Sequence, residues 1–171
     1  MYANIKFFVM DVDGTLTDGK IYMGNDGEMM KAFDIKDGCG IHDILIPSGI
    51  IPVIITGRSS LILKRRCDEL GIKELYQGVE DKLAKLHEIL YRYQSNNNCI
   101  YKLSNVAYIG DDMNDLSIMQ EIKARNGIVG CPSDAIAEVK AIADFVSDRM
   151  GGNGAVRDFI ECIMRGCERI G

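Results

Sequence analysis

Two short acidic stretches hold most of the chemistry-bearing side chains of this chain: Asp11-Val12-Asp13-Gly14-Thr15 and Gly110-Asp111-Asp112-Met113-Asn114-Asp115. Between them stand Thr56, in Thr56-Gly57-Arg58, and Lys82. Gathered in one place, they offer up to five carboxylates, one lysine and one threonine hydroxyl. Carboxylates that close repel one another unless a divalent cation sits among them. Oxygen ligands in a chain whose only histidines are His42 and His87 suit Mg²⁺. That ion takes one or two carboxylates, several waters and a substrate phosphate. Lys82 and Thr56 would then supply the cation and hydroxyl that phosphate oxygens need. Gly14 leaves the backbone beyond Asp13 open to close approach. The chemistry these groups could do together is phosphoryl transfer.

Each fragment alone has a plainer reading. Asp-x-Asp-Gly is a common turn, Gly110-Asp111-Asp112 could be an acidic helix start, and Thr56 could be a satisfied hydroxyl. A calcium-binding EF-hand loop from Asp11 would need Gly at its sixth position and Glu at its twelfth. Leu16 and Tyr22 stand there instead. What sets the fragments apart is where the surrounding elements place them.

Ile5 to Met10 reads as a buried strand ending in Asp11, and Pro52 to Thr56 as a second. Glu74 to Gln77, Asn105 to Ile109, Gly127 to Gly130 and Asp144 to Ser147 read as further strands. Ile21 to Phe33 reads as a β-hairpin around Gly24-Asn25-Asp26-Gly27. Helices are predicted over Gly40 to Pro47, from Ser59 or Ser60 to Leu70 with Gly71 as terminator, and over Glu80 to Tyr93. Three more cover Asp115 to Lys123, Ser133 to Ala141 and Ala155 to Arg165. Gln94 to Ser104 reads as a polar loop, and Gly151-Gly152-Asn153-Gly154 as a flexible hinge. This alternation predicts an α/β fold, a doubly wound, Rossmann-like, mostly parallel sheet with helices on both faces. Ligands of such sheets bind beyond the carboxyl ends of the strands, where Asp11, Thr56 and Gly110-Asp111 fall.

The 171 residues fit one domain over 1–171, with a hairpin insert at about 19–34 and a hinge and terminal helix at 151–171. The net charge is −5, and no long basic run offsets it, which argues against nucleic acid. No apolar run approaches the ~18 residues of a membrane span. Six cysteines stand far apart, and nothing at Met1 to Lys6 reads as a secretory leader. Free thiols in a cytoplasmic protein are the expectation.

In their order, the motifs at Asp11, Thr56, Lys82 and Gly110 resemble those of the haloacid dehalogenase-like phosphohydrolase superfamily, capless group. Within it the chain is most similar to the 3-deoxy-D-manno-octulosonate 8-phosphate phosphatase family. That likeness runs through Asp18 to Gly24, Lys31-Ala32-Phe33, Asp37-Gly38, Ile54 to Arg58, Leu75 to Gly78, Val106 to Gly110 and Gly151 to Arg157. The resemblance implies Asp11 as nucleophile and Mg²⁺ ligand. It implies Asp13 as general acid/base and metal ligand through its carbonyl, and Asp111 as a further ligand. Thr56 and Lys82 would hold the phosphate. Asp13, Lys82, Asp34, Ile35, Lys36, Asp37, Gly38, Arg58 and Arg66 would contact the phosphorylated sugar acid, with Asp112, Asn114, Asp115, His42 and Arg157 in support. His42 stands where the family usually carries arginine. Arg58 favours the eight-carbon substrate over a nine-carbon keto-acid 9-phosphate, whose phosphatases tend to carry glutamate there.

Other readings are a non-catalytic phosphatase-like assembly module, which the complete motif set opposes, and a receiver-type signalling domain, whose acidic residues come in another order. Neither the stretch from Asp11 to Thr56 nor that from Thr56 to Lys82 can house a lid domain, so no cap domain is expected. The resemblance implies a homotetramer built through the hairpin instead. The segment from Gly151, with Arg157, would reach an active site.

Overall fold

The computed structural model describes residues 4–97 and 99–166. Six strands form one sheet in the order β5 (Glu74–Tyr76), β4 (Ile51–Ile55), β1 (Phe7–Met10), β6 (Val106–Ile109), β7 (Ile128–Cys131) and β8 (Phe145–Val146). Every neighbouring pair is parallel. The strands are short apolar runs because both faces are covered. Phe8 and Met10 pack with Ile41 and Leu45, with Leu63 and Cys67, and with Val156, Phe159 and Ile160 on one face. Phe7 and Val9 pack with Leu86, Ile89 and Leu90, with Ile118, Met119 and Ile122, and with Val139 on the other. The doubly wound α/β fold expected from the alternation is the one observed.

Between β1 and β4 come the antiparallel hairpin β2 (Tyr22–Gly24) and β3 (Gly27–Met30), then α1 (Ile35–Cys39) running into a π-helical stretch, Gly40–Leu45. Among the described residues no cap domain separates the strands. The sequence predicts the first helix only from Gly40. It begins at Ile35 because the Asp34 carboxylate caps it, accepting from the Lys36 and Asp37 N–H groups. α2 (Leu61–Leu70) starts at the Ser60 cap and stops at left-handed Gly71, as the sequence predicts. α3 (Lys82–Asn97) runs beyond Tyr93 into the stretch read as a loop. α4 (Met113–Ala124) begins two residues early, on an Asp112–Asp115 capping box. α5 (Ala137–Ile142) starts later than predicted, after a turn, and α6 spans Ala155–Arg165 as expected.

The glycine-rich stretch expected to be a hinge is a packed turn. The Gly152 N–H donates to the Thr15 carbonyl at 3.0 Å and the Gly151 N–H to Asp134 at 2.9 Å. A Cβ on Gly151 would lie 1.8 Å from the Gly14 carbonyl oxygen. The turn thus buttresses the loop that follows β1. Residues 167–171, the end of the 151–171 segment with Cys167, lie outside the described residues, as does position 98 of the polar loop.

Candidate active site

β1, β4 and β6 sit side by side, so the residues after them converge. Asp11 follows β1, Thr56 follows β4 and Gly110-Asp111 follows β6. Lys82 opens α3, whose first turn is capped by Asp81 accepting from the Ala84 N–H at 2.9 Å. The Lys82 ammonium is buried, 3.0 Å from Asp11 and 2.7 Å from Asp115. Burial disfavours its charge, but Asp115 and Asp11 outweigh burial and raise its pKa.

One oxygen each of Asp11, Asp111 and Asp115 lies within 4.8 Å of the others, an arrangement able to hold a metal ion. The three are not equivalent. Asp115 Oδ1 accepts from Lys82 and from the Tyr108 hydroxyl at 2.6 Å, and Oδ2 from the Asp111 and Asp112 N–H groups at 2.9 and 3.2 Å. Four hydrogen bonds fill what a carboxylate can accept. Asp115 therefore orients Lys82 and the loop, and the open acceptor capacity lies on Asp11 and Asp111. Asp111 takes one bond, from the Thr15 hydroxyl at 2.8 Å. Gly14, at φ +96°, makes room: a Cβ there would meet Asp111 Oδ2 at 2.0 Å.

Burial pushes the Asp11 carboxyl up to about 6, with Asp115 raising it further and Lys82 opposing. Burial also pushes Asp111 up to about 7; the Thr15 hydroxyl opposes, and Asp115 and Asp11 add to the rise. Two acids that resist ionising together, offering only hard oxygen atoms, suit a cation such as Mg²⁺.

Asp13 is turned to a different set of partners. Its carboxylate pairs with the Lys31 ammonium and lies 3.5 Å from Arg58. Lys31 also meets Glu28 at 3.1 Å, and Glu28 accepts from the Ser60 hydroxyl. Lys31 and Glu28 belong to the hairpin, which therefore reaches this chain's own site. Neither belongs to the sequence motifs of the site, nor does Tyr108. The one available signal was a lysine interrupting the apolar run from Met29 to Phe33.

The other expected site residues have their own local partners. Asp34 is a helix cap, and Ile35 and Lys36 are exposed. Asp37 is buried and accepts from the Gly154 and Arg157 N–H groups, so it docks α6. Gly38 lies against Arg66, which pairs with Glu69 and stacks over Phe33. His42 is exposed beside Asp43, and Asn114 is exposed. The Arg157 guanidinium pairs with Glu161 on its own helix.

No family profile matches the chain. It is 43% identical over 162 residues to the 3-deoxy-D-manno-octulosonate 8-phosphate phosphatase of Yersinia pestis, covering 95% of this chain and 81% of that one. The Moraxella catarrhalis enzyme of that name, solved with magnesium, phosphate and KDO, superposes with a TM-score of 0.86 at 41% identity, covering 96% of this chain and 88% of that one. A Legionella pneumophila structure described as a putative haloacid dehalogenase superfamily hydrolase, subfamily III A, gives 0.82 at 33% identity, covering 96% and 84%.

Proposed function

The chain belongs to the 3-deoxy-D-manno-octulosonate 8-phosphate phosphatase family of haloacid dehalogenase-like hydrolases, and on that footing we propose that it is a Mg²⁺-dependent phosphatase of the eight-carbon sugar-acid phosphate. The observation that carries the reading is the buried Asp11–Lys82–Asp115 chain beside Asp111, at the carboxyl edge of a parallel sheet.

Asp11, Asp111 and the Asp13 carbonyl are the groups that would hold Mg²⁺. Bound there, the ion supplies positive charge that offsets the carboxylates and the substrate phosphate. An Asp11 oxygen attacks phosphorus. The phosphorus–sugar oxygen bond breaks, its electron pair stays on the sugar oxygen, and that oxygen takes a proton from Asp13. An aspartyl-phosphate is left on Asp11. Water then attacks the same phosphorus and gives a proton to Asp13. The bond to Asp11 breaks, and phosphate leaves. Lys82, fixed by Asp115, favours the ionised form of Asp11 against burial and faces charge developing on the phosphoryl oxygens. Thr56 binds the phosphate, and the half-exposed Arg58 has donors left for the substrate.

The reading extends to one phosphatase domain assembled as a homotetramer. What supports the assembly is the hairpin, where Ile21, Met23, Met29 and Met30 stand exposed in the single chain. Among the described residues no helix is long and apolar enough to cross a membrane. Cys39, Cys67, Cys99 and Cys131 are free thiols, which supports a reducing cytoplasm.

The test is kcat/KM with Mg²⁺ across eight-carbon and nine-carbon keto-acid phosphates and simple sugar phosphates. A clear preference for the eight-carbon acid is expected. A nine-carbon preference, or equal weak rates on all, would overturn the substrate assignment.

A further inference from the structure

The hairpin delivers a buried ammonium to the carboxylate beside the nucleophile. Lys31 comes just after β3, and its side chain is only 3% exposed. Its Nζ pairs with Asp13 Oδ1 and lies 3.1 Å from Glu28 Oε1. Arg58 approaches the same two acids, at 3.5 Å from Asp13 Oδ2 and 3.8 Å from Glu28 Oε1. Two acids and two cations therefore close into a ring. The ring is tied to the sheet through Glu28. That carboxylate accepts from the Ser60 hydroxyl, while Ser60 caps α2 through the Leu63 N–H at 3.2 Å and is itself held by Gln77 at 2.7 Å.

The two cations differ in what they can do. Arg58 is 43% exposed and has guanidinium donors to spare. Lys31 is enclosed and pairs with Asp13 and Glu28. An enclosed ammonium between two carboxylates fixes both, because removing it leaves two like charges facing each other with one half-exposed arginine between them. The Asp13 side chain so fixed must meet two successive targets, the leaving oxygen as the protonated acid and then the attacking water as the carboxylate left behind. General acid–base help is sensitive to such placement and supplies on the order of 10²- to 10⁴-fold in rate.

We propose that Lys31 is a positioning residue for the Asp13 acid/base, so that the hairpin is part of the catalytic machinery of its own chain. The inference rests on the functional reading above, in which Asp13 protonates the leaving oxygen.

The experiment uses leaving groups. An alkyl phosphate such as the sugar-acid substrate departs as an alkoxide and needs a proton. 4-Nitrophenyl phosphate departs as a stabilised phenolate and needs almost none. For both, kcat/KM reports events up to leaving-group departure. Lys31→Met is expected to lower kcat/KM on the alkyl substrate by about 10²-fold, mainly through kcat, and on 4-nitrophenyl phosphate by only a few fold. Lys31→Arg should recover part of the loss. In an Asp13→Asn background, Lys31→Met should cost nothing further, a comparison that a generally weakened fold cannot imitate.

Equal losses on both substrates would overturn the inference. So would a rise in KM with kcat intact, which would make Lys31 a direct substrate contact, or fully additive losses in the double variant. The underlying reading fails separately, and takes the inference with it, if the wild-type protein hydrolyses no alkyl phosphate.

Discussion

Asp11 and Asp37 look alike by most measures. Both are buried, at 4% and 1% exposure, and burial pushes both up to about 6. Their partners differ. Asp37 Oδ1 accepts the Arg157 N–H at 2.8 Å and Oδ2 the Gly154 N–H at 3.3 Å, both at the start of α6. These are fixed backbone dipoles, and the result is a joint between α1 and the last helix. Asp11 faces a lysine and two further carboxylates. Like charges gathered around one buried cation make a centre whose repulsion a bound metal ion relieves. A raised pKa therefore marks burial. The identity of the neighbours separates a joint from a reactive centre.

The sharpest way to break this comparison is to remove the charge from each acid. Asp11→Asn should lower Mg²⁺-dependent turnover by about 10⁴-fold or more, while Asp37→Asn should leave kcat/KM within a few fold. Initial rates on the sugar-acid phosphate decide, and a large KM rise for Asp37→Asn would return that residue to the substrate site. Lys82→Met should cost about 3–5 kcal/mol in denaturant unfolding, because it strands Asp11 and Asp115 without their cation.

Mg²⁺ at a hundredfold over its dissociation constant should stabilise the protein by about 2.7 kcal/mol. Melting curves should show that gain lost in Asp111→Asn and kept in Asp37→Asn. The smallest effect is on pH dependence. Between about pH 4 and 7 the metal-free folded state keeps protons on Asp11, Asp111 and Asp37 that the unfolded chain has released. Stability without metal should therefore fall as pH rises through that window. Mg²⁺ should reverse the trend at Asp11 and Asp111 alone, and Asp37→Asn should flatten what remains.

What could be read in advance was the part written locally. Asp11, Thr56 and Asp111 come at or just after the ends of apolar runs that read as buried strands, and Ser60 and Gly71 punctuate α2 in the ordinary way. What could not be read depends on contacts between distant segments. Lys31 looks like any hairpin lysine until the hairpin folds back on Asp13. Asp37 lies in a stretch that resemblance assigns to substrate, yet its oxygens are taken by residues 117 and 120 positions away. The Gly151 turn reads as flexible because glycine usually confers freedom. Here glycine is required because nothing larger fits against the Gly14 carbonyl.

That turn has a consequence for the order in which the protein comes to life on the ribosome. When the chain has been made as far as Asp148, every motif residue from Asp11 to Asp115 has already been joined to it. The loop carrying Asp13 to Thr17 still lacks the backbone that seats it, because Gly151 and Gly152 have yet to appear. A nascent chain at that stage holds the complete set of catalytic groups without their fixed arrangement. Activity should switch on late, only after the Gly151 turn has seated beneath the first loop and α6 behind it has packed into the core.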